Sequence, residues 1–471
     1  MFLEQIVSKT RADLEQRKLV VPFEEQQRLA LSQSAPRDLL EALSDPSKSR
    51  IGLIAEVKRA SPSRGMFAPD LDPIELACTY ASNGATAISV LTESHFFLGS
   101  FEYLAAIKQV VKVPVLCKDF IIDEYQVYEA RAYGADAILL ICAILDQVQL
   151  QRLLKVAHDL RMGCLVEVHT SEEVQQAIAA GANVIGINSR DLVTFQMNPS
   201  LIRKLRPLIP KDRVVVAESG IHSSADARRL ARYDVQAMLV GESLVTSQDI
   251  PAQIRTLLKG ANESVQVKIC GLRTTDQLVS ARDAGADLLG LMFYDPSPRS
   301  IHPQEARELL KTCEDSHITP DIVGIFVNKE AEYINDIVEQ VGLHFVQLHG
   351  NESPEFCKRI NRPVIKGLRL NRRADLNLIE KYKQTSWRIL LDTPTVKWGG
   401  TGETHDWDLA RTVAQQTPIF LAGGLTPENV AEAIHQVHPW GVDVSSGVEI
   451  NGNKDAEKIR AFVINARKSR L

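Results

Sequence analysis

A short phrase returns along the chain: NGATAISV (83–90), YGADAILL (133–140), AGANVIGI (180–187) and AGADLLGL (284–291). Each pairs a Gly-Ala step with a run of small and branched apolar residues. The glycine suits a helix C-cap, and the unbroken run suits a strand buried on both faces, as parallel strands are. Between the runs lie stretches such as SEEVQQAIAA (171–180) and SADARRLARY (224–233), which open on serine and acidic residues as helix N-termini do. Repeated strand–helix units predict βαβ architecture.

The strand count selects the fold. From residue 52 the candidates are GLIAEVK, AISVL, PVLCK, AILLI, LVEVH, VIGIN, VVVAES and AMLVG. From residue 266 they are VKICG, LLGLMF, IVGIF, FVQLH, PVIKG, ILLDT, IFLAGG and GVDVSS. Eight and eight predict two tandem (β/α)8 TIM barrels. Two doubly wound open sheets are the competing architecture, but neither half carries GxGxxG after its first strand. The expected domains are 1–258 and 265–471, with a seam near the short polar stretch LLKGANESVQ (257–266). Residues 1–50 precede the first strand, read as helical with breaks at Pro22 and Pro36, and form an N-terminal helical extension on the first barrel.

Composition narrows the setting. The chain has 471 residues, 45% apolar and 24% charged, which is the make-up of a soluble globular protein with enough length for two cores. A net charge of −5 gives no electrostatic reason to expect nucleic acid or an anionic membrane as partner. The N-terminus has no apolar signal segment, and the longest apolar run, AILLICAIL, is nine residues against the roughly 20 of a membrane helix. Seven scattered cysteines without a CxxC pair favour reduced thiols over disulfides or zinc. A cytoplasmic protein with no metal and no cofactor is expected.

In such barrels chemistry sits at the C-terminal strand ends, and here those ends are rich in ionisable groups. The first half offers Glu56, Lys58, Lys118, Glu167, Asn188 and Glu218; Glu56 and Lys58 are two apart and share a face of their strand. Taken singly, such lysines snorkel to solvent and pair with acids. Gathered at one mouth, they would couple and shift one another's pKa values. The second half offers Lys268 and Cys270 on one face, then Arg299, His349 and Asp392. A lone cysteine is ordinarily core packing; opposite a strand-end carboxylic acid, a thiolate could remove a proton while the acid donates one. His349 reads equally as a satisfied barrel-wall residue or a ligand contact. Loops after strands 7 and 8 often bind phosphate. Here they are ESGI (218–221) and VGES (240–243), then AGGL (422–425) and SSGVE (445–449), helped by GGTGE (399–403). Their glycines and serines offer N–H and O–H donors to an anion. Both halves are therefore expected to handle small phosphorylated molecules.

AEVKRASPSRG, SVLTESHFFLGS, VLCKDFIIDEYQ, LVEVH, IGINSRDL, VAESGI and VGESL closely resemble indole-3-glycerol-phosphate synthases. VKICGLR, GLMFYDPSPRSI, QLHG, LLDT, GGTG, AGGLTPENV and GVDVSSGVE resemble phosphoribosylanthranilate isomerases. Together the motifs span nearly the whole chain, in the order of the fused bifunctional enzymes of tryptophan biosynthesis. Ser189 stands where many relatives have a second Asn, and His405 where Phe is common.

The resemblance implies an isomerase in which Asp392 is the general acid that opens the ribose ring and Cys270 the base at C2'. Arg299 would lie near the anthranilate carboxylate and His349 in the site. In the synthase half it implies Lys118 as general acid, Glu167 as acid or base of the dehydration, and Lys58 and Glu56 assisting. The division of steps among Lys118, Lys58 and Glu167 stays open. Asn188, Arg190, Glu218, Ser219 and Ser61 would hold substrate. Gly220, Gly241 and Ser243, and in the second half Gly402, Gly424, Ser445 and Ser446, would hold phosphate. The implied partners are small phosphorylated anthranilate derivatives, the expected state is a monomer, and the shared intermediate is expected to diffuse freely. Two other readings stand beside this one: a Schiff-base lysine at Lys118, and one barrel acting only as a phosphate-binding or structural partner.

Overall fold

The computed structural model describes residues 2–44, 51–61, 65–66, 71–311, 320–370, 376–392 and 407–468. The chain forms two compact units, Met1–Glu263 and Ser264–Leu471. In the first, eight parallel strands close into a barrel: β1 (Gly52–Val57), β2 (Ala87–Leu91), β3 (Val115–Lys118), β4 (Ala137–Ile141), β5 (Gly163–Val168), β6 (Val184–Asn188), β7 (Val214–Glu218) and β8 (Ala237–Val240). In the second, β9 (Gln266–Cys270), β10 (Leu288–Met292), β11 (Asp321–Phe326), β12 (Phe345–Leu348), β13 (Val364–Arg369), β14 (Arg388–Asp392), β15 (Ile419–Leu421) and β16 (Gly441–Val444) do the same. All sixteen predicted strands form. The stretch 257–266 differs from its reading as a polar linker: through Glu263 it is the end of a helix, Ile250–Glu263, which buries Ile254, Leu257 and Ala261.

The local signals act as predicted. Gly84, Gly134, Gly181 and Gly285, the glycines of the repeated phrase, have φ between 86° and 101°, a region closed to most side chains and suited to ending a helix. Helix Ser171–Ala179 is capped by Thr170, and Ser224–Leu230 by a reciprocal Ser223–Asp226 box.

Alternation along each strand sets what faces inward. In the first barrel Ile54, Leu116, Leu165 and Val216 belong to one buried apolar cluster. Two residues further along the same strands stand Glu56, Lys118, Glu167 and Glu218. Apolar residues thus fill the lower layers and charged ones crown them. Helix α3 (Leu39–Ser44) closes the floor: Leu39 and Leu43 join that same cluster, and a Cβ on Gly163 would meet Leu39 Cβ at 2.9 Å. The floor of the second barrel is aromatic. Arg388, at the start of β14, lies 4.6 and 4.7 Å from the ring centroids of Trp387 and Trp440, and Phe345 and Phe420 pack against these rings.

Helices α1 (Phe2–Val20) and α2 (Phe23–Leu31) hold to the flank of the first barrel. Ile6, Thr10 and Leu14, four apart, form the buried stripe of α1. Arg17 donates to Glu129 at 2.6 Å, Lys18 to Asp123 at 3.0 Å, and the Tyr125 hydroxyl to the Val21 carbonyl at 2.9 Å. Burial, opposed by Arg17 and reinforced by Asp119, pushes the Glu129 carboxyl up to about 7. A raised carboxyl favours the folded state below its unfolded value and loses that contribution as pH climbs through the folded one. Glu129→Gln should therefore gain stability relative to the parent between pH 5 and 8, on the order of 1–3 kcal/mol. Urea denaturation followed by loss of the first unit's activity at the two pH values checks this; a pH-independent difference would remove Glu129 as the cause.

Candidate functional sites

At the mouth of the first barrel, β1, β3, β5 and β7 each carry an inward ionisable residue at or next to their C-terminal end. Lys58 Nζ lies 2.7 Å from Glu56 Oε1, and Lys118 Nζ lies 3.4 Å from Glu167 Oε2 and 3.6 Å from Glu218 Oε2. Glu56, Glu167 and Glu218 are buried, so water screens these charges poorly. Burial alone would pull the Lys118 ammonium down, but Glu167, Glu218 and Glu56 outweigh it and hold Lys118 above the ordinary lysine value. Burial likewise disfavours the ionised forms of Glu56 and Glu167; Lys58 and Lys118 reverse this for Glu56, and Lys118 and His169 for Glu167, so both lie below the usual carboxylate value. Glu218 is the exception. Burial and the neighbouring Glu167 charge push its carboxyl up to about 8. Of the three carboxyls, Glu218 is therefore the one that holds its proton at neutral pH.

Asn188, in register with Glu218, accepts from the Arg190 N–H at 3.0 Å. Arg190 Nη2 lies 3.8 Å from Glu242. Ser219 and Gly220, with φ of 65° and 71°, turn the chain sharply after β7. The Ser243 hydroxyl donates to the Ile221 carbonyl at 2.8 Å, joining the loop after β8 to the loop after β7, and Gly241 precedes the short helix Glu242–Val245. Ser61 stands in a two-residue hairpin strand paired with Gly65.

Two residues outside the sequence-based set belong to this mouth. His169, two beyond Glu167 and thus on its face, lies 3.5 Å from Glu167 and 3.4 Å from Glu173. Burial lowers its pKa, but the Glu173 hydrogen bond and the Glu167 charge outweigh burial and raise it. Ser89, in register with Glu56, is fully buried. Parity within LVEVH and AISVL would have found both.

In the second barrel one cavity is lined by Cys270, Arg299, Gln347, His349, Asp392 and Asp443, with Gly424, Ser445 and Ser446 at its rim. The expected site residues come together here, except Gly402, which lies, as does His405, outside the described residues. Lys268, fully buried below Cys270 on β9, donates to Asp443 on the neighbouring β16 at 2.8 Å. Burial raises the Cys270 thiol, while Lys268 and Lys454 oppose that rise. His349 Nε2 lies 3.1 Å from Asp392 Oδ2.

Arg299 is engaged within the protein: Nε and Nη2 each donate to Glu449 at 2.7 Å, a bidentate pair. Glu449 also accepts from Lys454 at 2.6 Å, and Lys454 in turn donates to the Ser445 carbonyl at 2.9 Å. A small hairpin, β17 (Glu449–Ile450) and β18 (Asn453–Lys454), brings Glu449 and Lys454 to the mouth. Burial disfavours the Glu449 carboxylate, but Arg299 and Lys454 prevail and hold it down to about 2. Lys454 follows the last strand, where barrel parity gives no signal.

Four glycines make room for these side chains. An added Cβ would stand 2.0 Å from Glu218 Oε1 at Gly186, 2.5 Å from Glu56 Oε1 at Gly241, 2.5 Å from His349 Nδ1 at Gly367 and 3.1 Å from Cys270 Sγ at Gly290.

Two closed barrels, each with proton-transfer groups at the strand ends and glycine-rich loops after its last strands, define a pair of TIM-barrel active sites in one chain. Residues 3–257 match the family "Indole-3-glycerol phosphate synthase", and residues 267–465 match "N-(5'phosphoribosyl)anthranilate (PRA) isomerase". A tryptophan biosynthesis protein TrpCF of Yersinia pestis is 37% identical over 98% of this chain and 93% of its own length. Multifunctional tryptophan biosynthesis proteins of Phycomyces blakesleeanus and Schizosaccharomyces pombe are 35% and 39% identical over 92% and 88% of this chain. The chain spans 65% and 59% of the length of those two. The chain belongs to the bifunctional family that joins indole-3-glycerol phosphate synthase to phosphoribosylanthranilate isomerase in tryptophan biosynthesis. Among the described residues no helix is long and apolar enough to cross a membrane.

The glycine contacts yield a test. At Gly186 the clashing atom is the tip of a flexible side chain, so Gly186→Ala should fold but displace Glu218. Displacements of about 1 Å cost on the order of 10²-fold in rate. The first unit's activity should fall by about that much while the second unit's activity is unchanged; a loss under threefold would mean that the position of Glu218 is unimportant.

Proposed function

We propose that the second unit converts N-(5-phosphoribosyl)anthranilate to 1-(2-carboxyphenylamino)-1-deoxyribulose 5-phosphate by an Amadori rearrangement. The first unit then closes this product to indole-3-glycerol phosphate with loss of CO2 and water. The observation that carries the reading is the convergence of Cys270, His349 and Asp392 on one cavity and of Lys118, Glu167 and Glu218 on one mouth. Each of these residues stands in a motif that resembles its family.

In the isomerase, Asp392 protonates the ribose ring oxygen as the ring opens, and the Cys270 thiolate takes the C2' proton. Lys268 and Lys454 oppose, without cancelling, the rise that burial and Asp443 impose on the thiol. Arg299 faces the anthranilate carboxylate through N–H groups other than the two held by Glu449. Gly424, Ser445 and Ser446, with Gly402 by sequence, hold the phosphate.

In the synthase, an ammonium kept protonated by the ionised Glu167 and Glu56 suits Lys118 to polarise the substrate ketone for ring closure. Glu167 serves the dehydration, and Lys58 and Glu56 assist. Asn188, Arg190, Ser219, Glu218 and Ser61 position the anthranilate and hydroxyl groups; Gly220, Gly241 and Ser243 take the phosphate. Both reactions ask only proton transfers of the protein and need no cofactor, and we place them in the cytoplasm, in a monomer whose substrates are small phosphorylated anthranilate derivatives.

Paired assays test the assignment. Cys270→Ala should lose 10²–10⁴-fold in isomerase activity, the usual contribution of a general base, and retain the synthase; Lys118→Ala should do the reverse. Isomerase activity within about tenfold of the parent in Cys270→Ala would return the thiol to core packing.

A pH profile tests Glu218. As a proton-bearing carboxyl it donates a hydrogen bond below about pH 8 and loses that ability above it. Synthase kcat/KM should fall through this range, and Glu218→Gln should lack the fall. A decline that persists in Glu218→Gln would assign it to another group.

A further inference from the structure

The cavity of the second barrel holds a side chain that the roles above leave unused. Gln347 stands on β12, two residues before His349 and on the same inward face. It is 2% exposed, and its Nε2 lies 3.0 Å from His349 Nδ1. Its carbonyl oxygen, Oε1, is buried and has no hydrogen-bond partner among the described residues. On the far side of the ring, His349 Nε2 meets Asp392 Oδ2 at 3.1 Å. The three groups form a chain, with a two-faced amide at one end and the proposed acid at the other.

A neutral imidazole has one donor and one acceptor nitrogen, so the chain has two fully bonded arrangements. In the first, the Gln347 amide N–H donates to Nδ1, Nε2–H donates to Asp392, and the carboxylate is ionised. In the second, the Asp392 O–H donates to Nε2, Nδ1 carries the ring proton, and Nδ1–H donates to Gln347 Oε1. The histidine is neutral in both. The second arrangement holds one more proton, on Asp392, and that is the proton delivered to the substrate. Afterwards the ring proton passes from Nδ1 to Nε2 by exchange with solvent in the cavity. A carboxamide satisfies both arrangements by half a turn. Gly367 on the neighbouring strand keeps this edge of the ring clear, since a Cβ there would lie 2.5 Å from Nδ1.

We infer that Gln347 is a positioning residue of the isomerase: its carboxamide turns to match the tautomer of His349, so that Asp392 is hydrogen-bonded both before and after it gives up its proton. This rests on the assignment of Asp392 as the general acid.

The test uses the full chain, with synthase activity and second-unit tryptophan fluorescence as controls for folding. Gln347→Leu should lower isomerase kcat about tenfold or more, keep KM within about threefold, and shift the basic limb of the pH–rate profile. Gln347→Glu, which supplies an acceptor for Nδ1–H, should recover part of the lost rate. Nitrogen NMR of His349 should detect both neutral tautomers across the pH range in the parent. Asp392→Asn separates the two claims. If it stays active within about tenfold, the assignment of the acid fails. If it is inactive while Gln347→Leu changes only KM, or His349 keeps one tautomer at every pH, the inference about Gln347 is overturned and Asp392 stands. Should Gln347→Leu fail to fold, Gln347→Glu and the NMR measurement decide.

Discussion

The interior of an eight-stranded barrel is just wide enough for side chains to fill it, and that constraint governs everything at these two mouths. Alternation sends every second residue inward, and alternate strands supply the four side chains of each layer. A long polar side chain there can be accommodated only if a neighbouring strand gives up its own. Gly186 beside Glu218, Gly241 beside Glu56 and Gly367 beside His349 are that concession. The chemistry of both units is first a matter of volume, and only then of charge.

Charge is settled by the same crowding. Lys118 stands between Glu167 and Glu218, so its partners are fixed by the strands that carry them. Of the three carboxyls, Glu218 is the one that burial and the Glu167 charge push above its ordinary value. The second mouth uses smaller balances: Lys268 against Asp443 beneath the thiol, and Glu449 between Arg299 and Lys454. In each case a charge at the reacting layer is held by a fixed opposite charge outside or below it. This is electrostatic preorganisation built from backbone register.

The fold was largely legible in the sequence because buried parallel strands write themselves as apolar runs, and the Gly-Ala step marks the helix end before several of them. Strand-end residues such as Glu167, Lys118 and Cys270 were legible for the same reason: parity places them. What parity could not reach lay elsewhere. Lys454 arrives from a hairpin after the last strand, and nothing local in NGNKDAEK points to the thiol. Arg299 read as free for a ligand, because its partner Glu449 is 150 positions away in sequence. Gly186 and Gly367 carried no reading in the sequence, because the side chains they make room for belong to other strands. The helix Ile250–Glu263 extends into a polar stretch because Ile254, Leu257 and Ala261 give it a buried face that the flanking polar residues obscure.

The pairing of an empty position with a long one also bears on how such a barrel can change over time. Gly186 cannot acquire a side chain without displacing Glu218, and a shorter residue at 218 would leave a void before position 186 could fill it. Either order of change passes through a crippled intermediate. The two positions are therefore sterically coupled, and a change at one is tolerated only together with a change at the other.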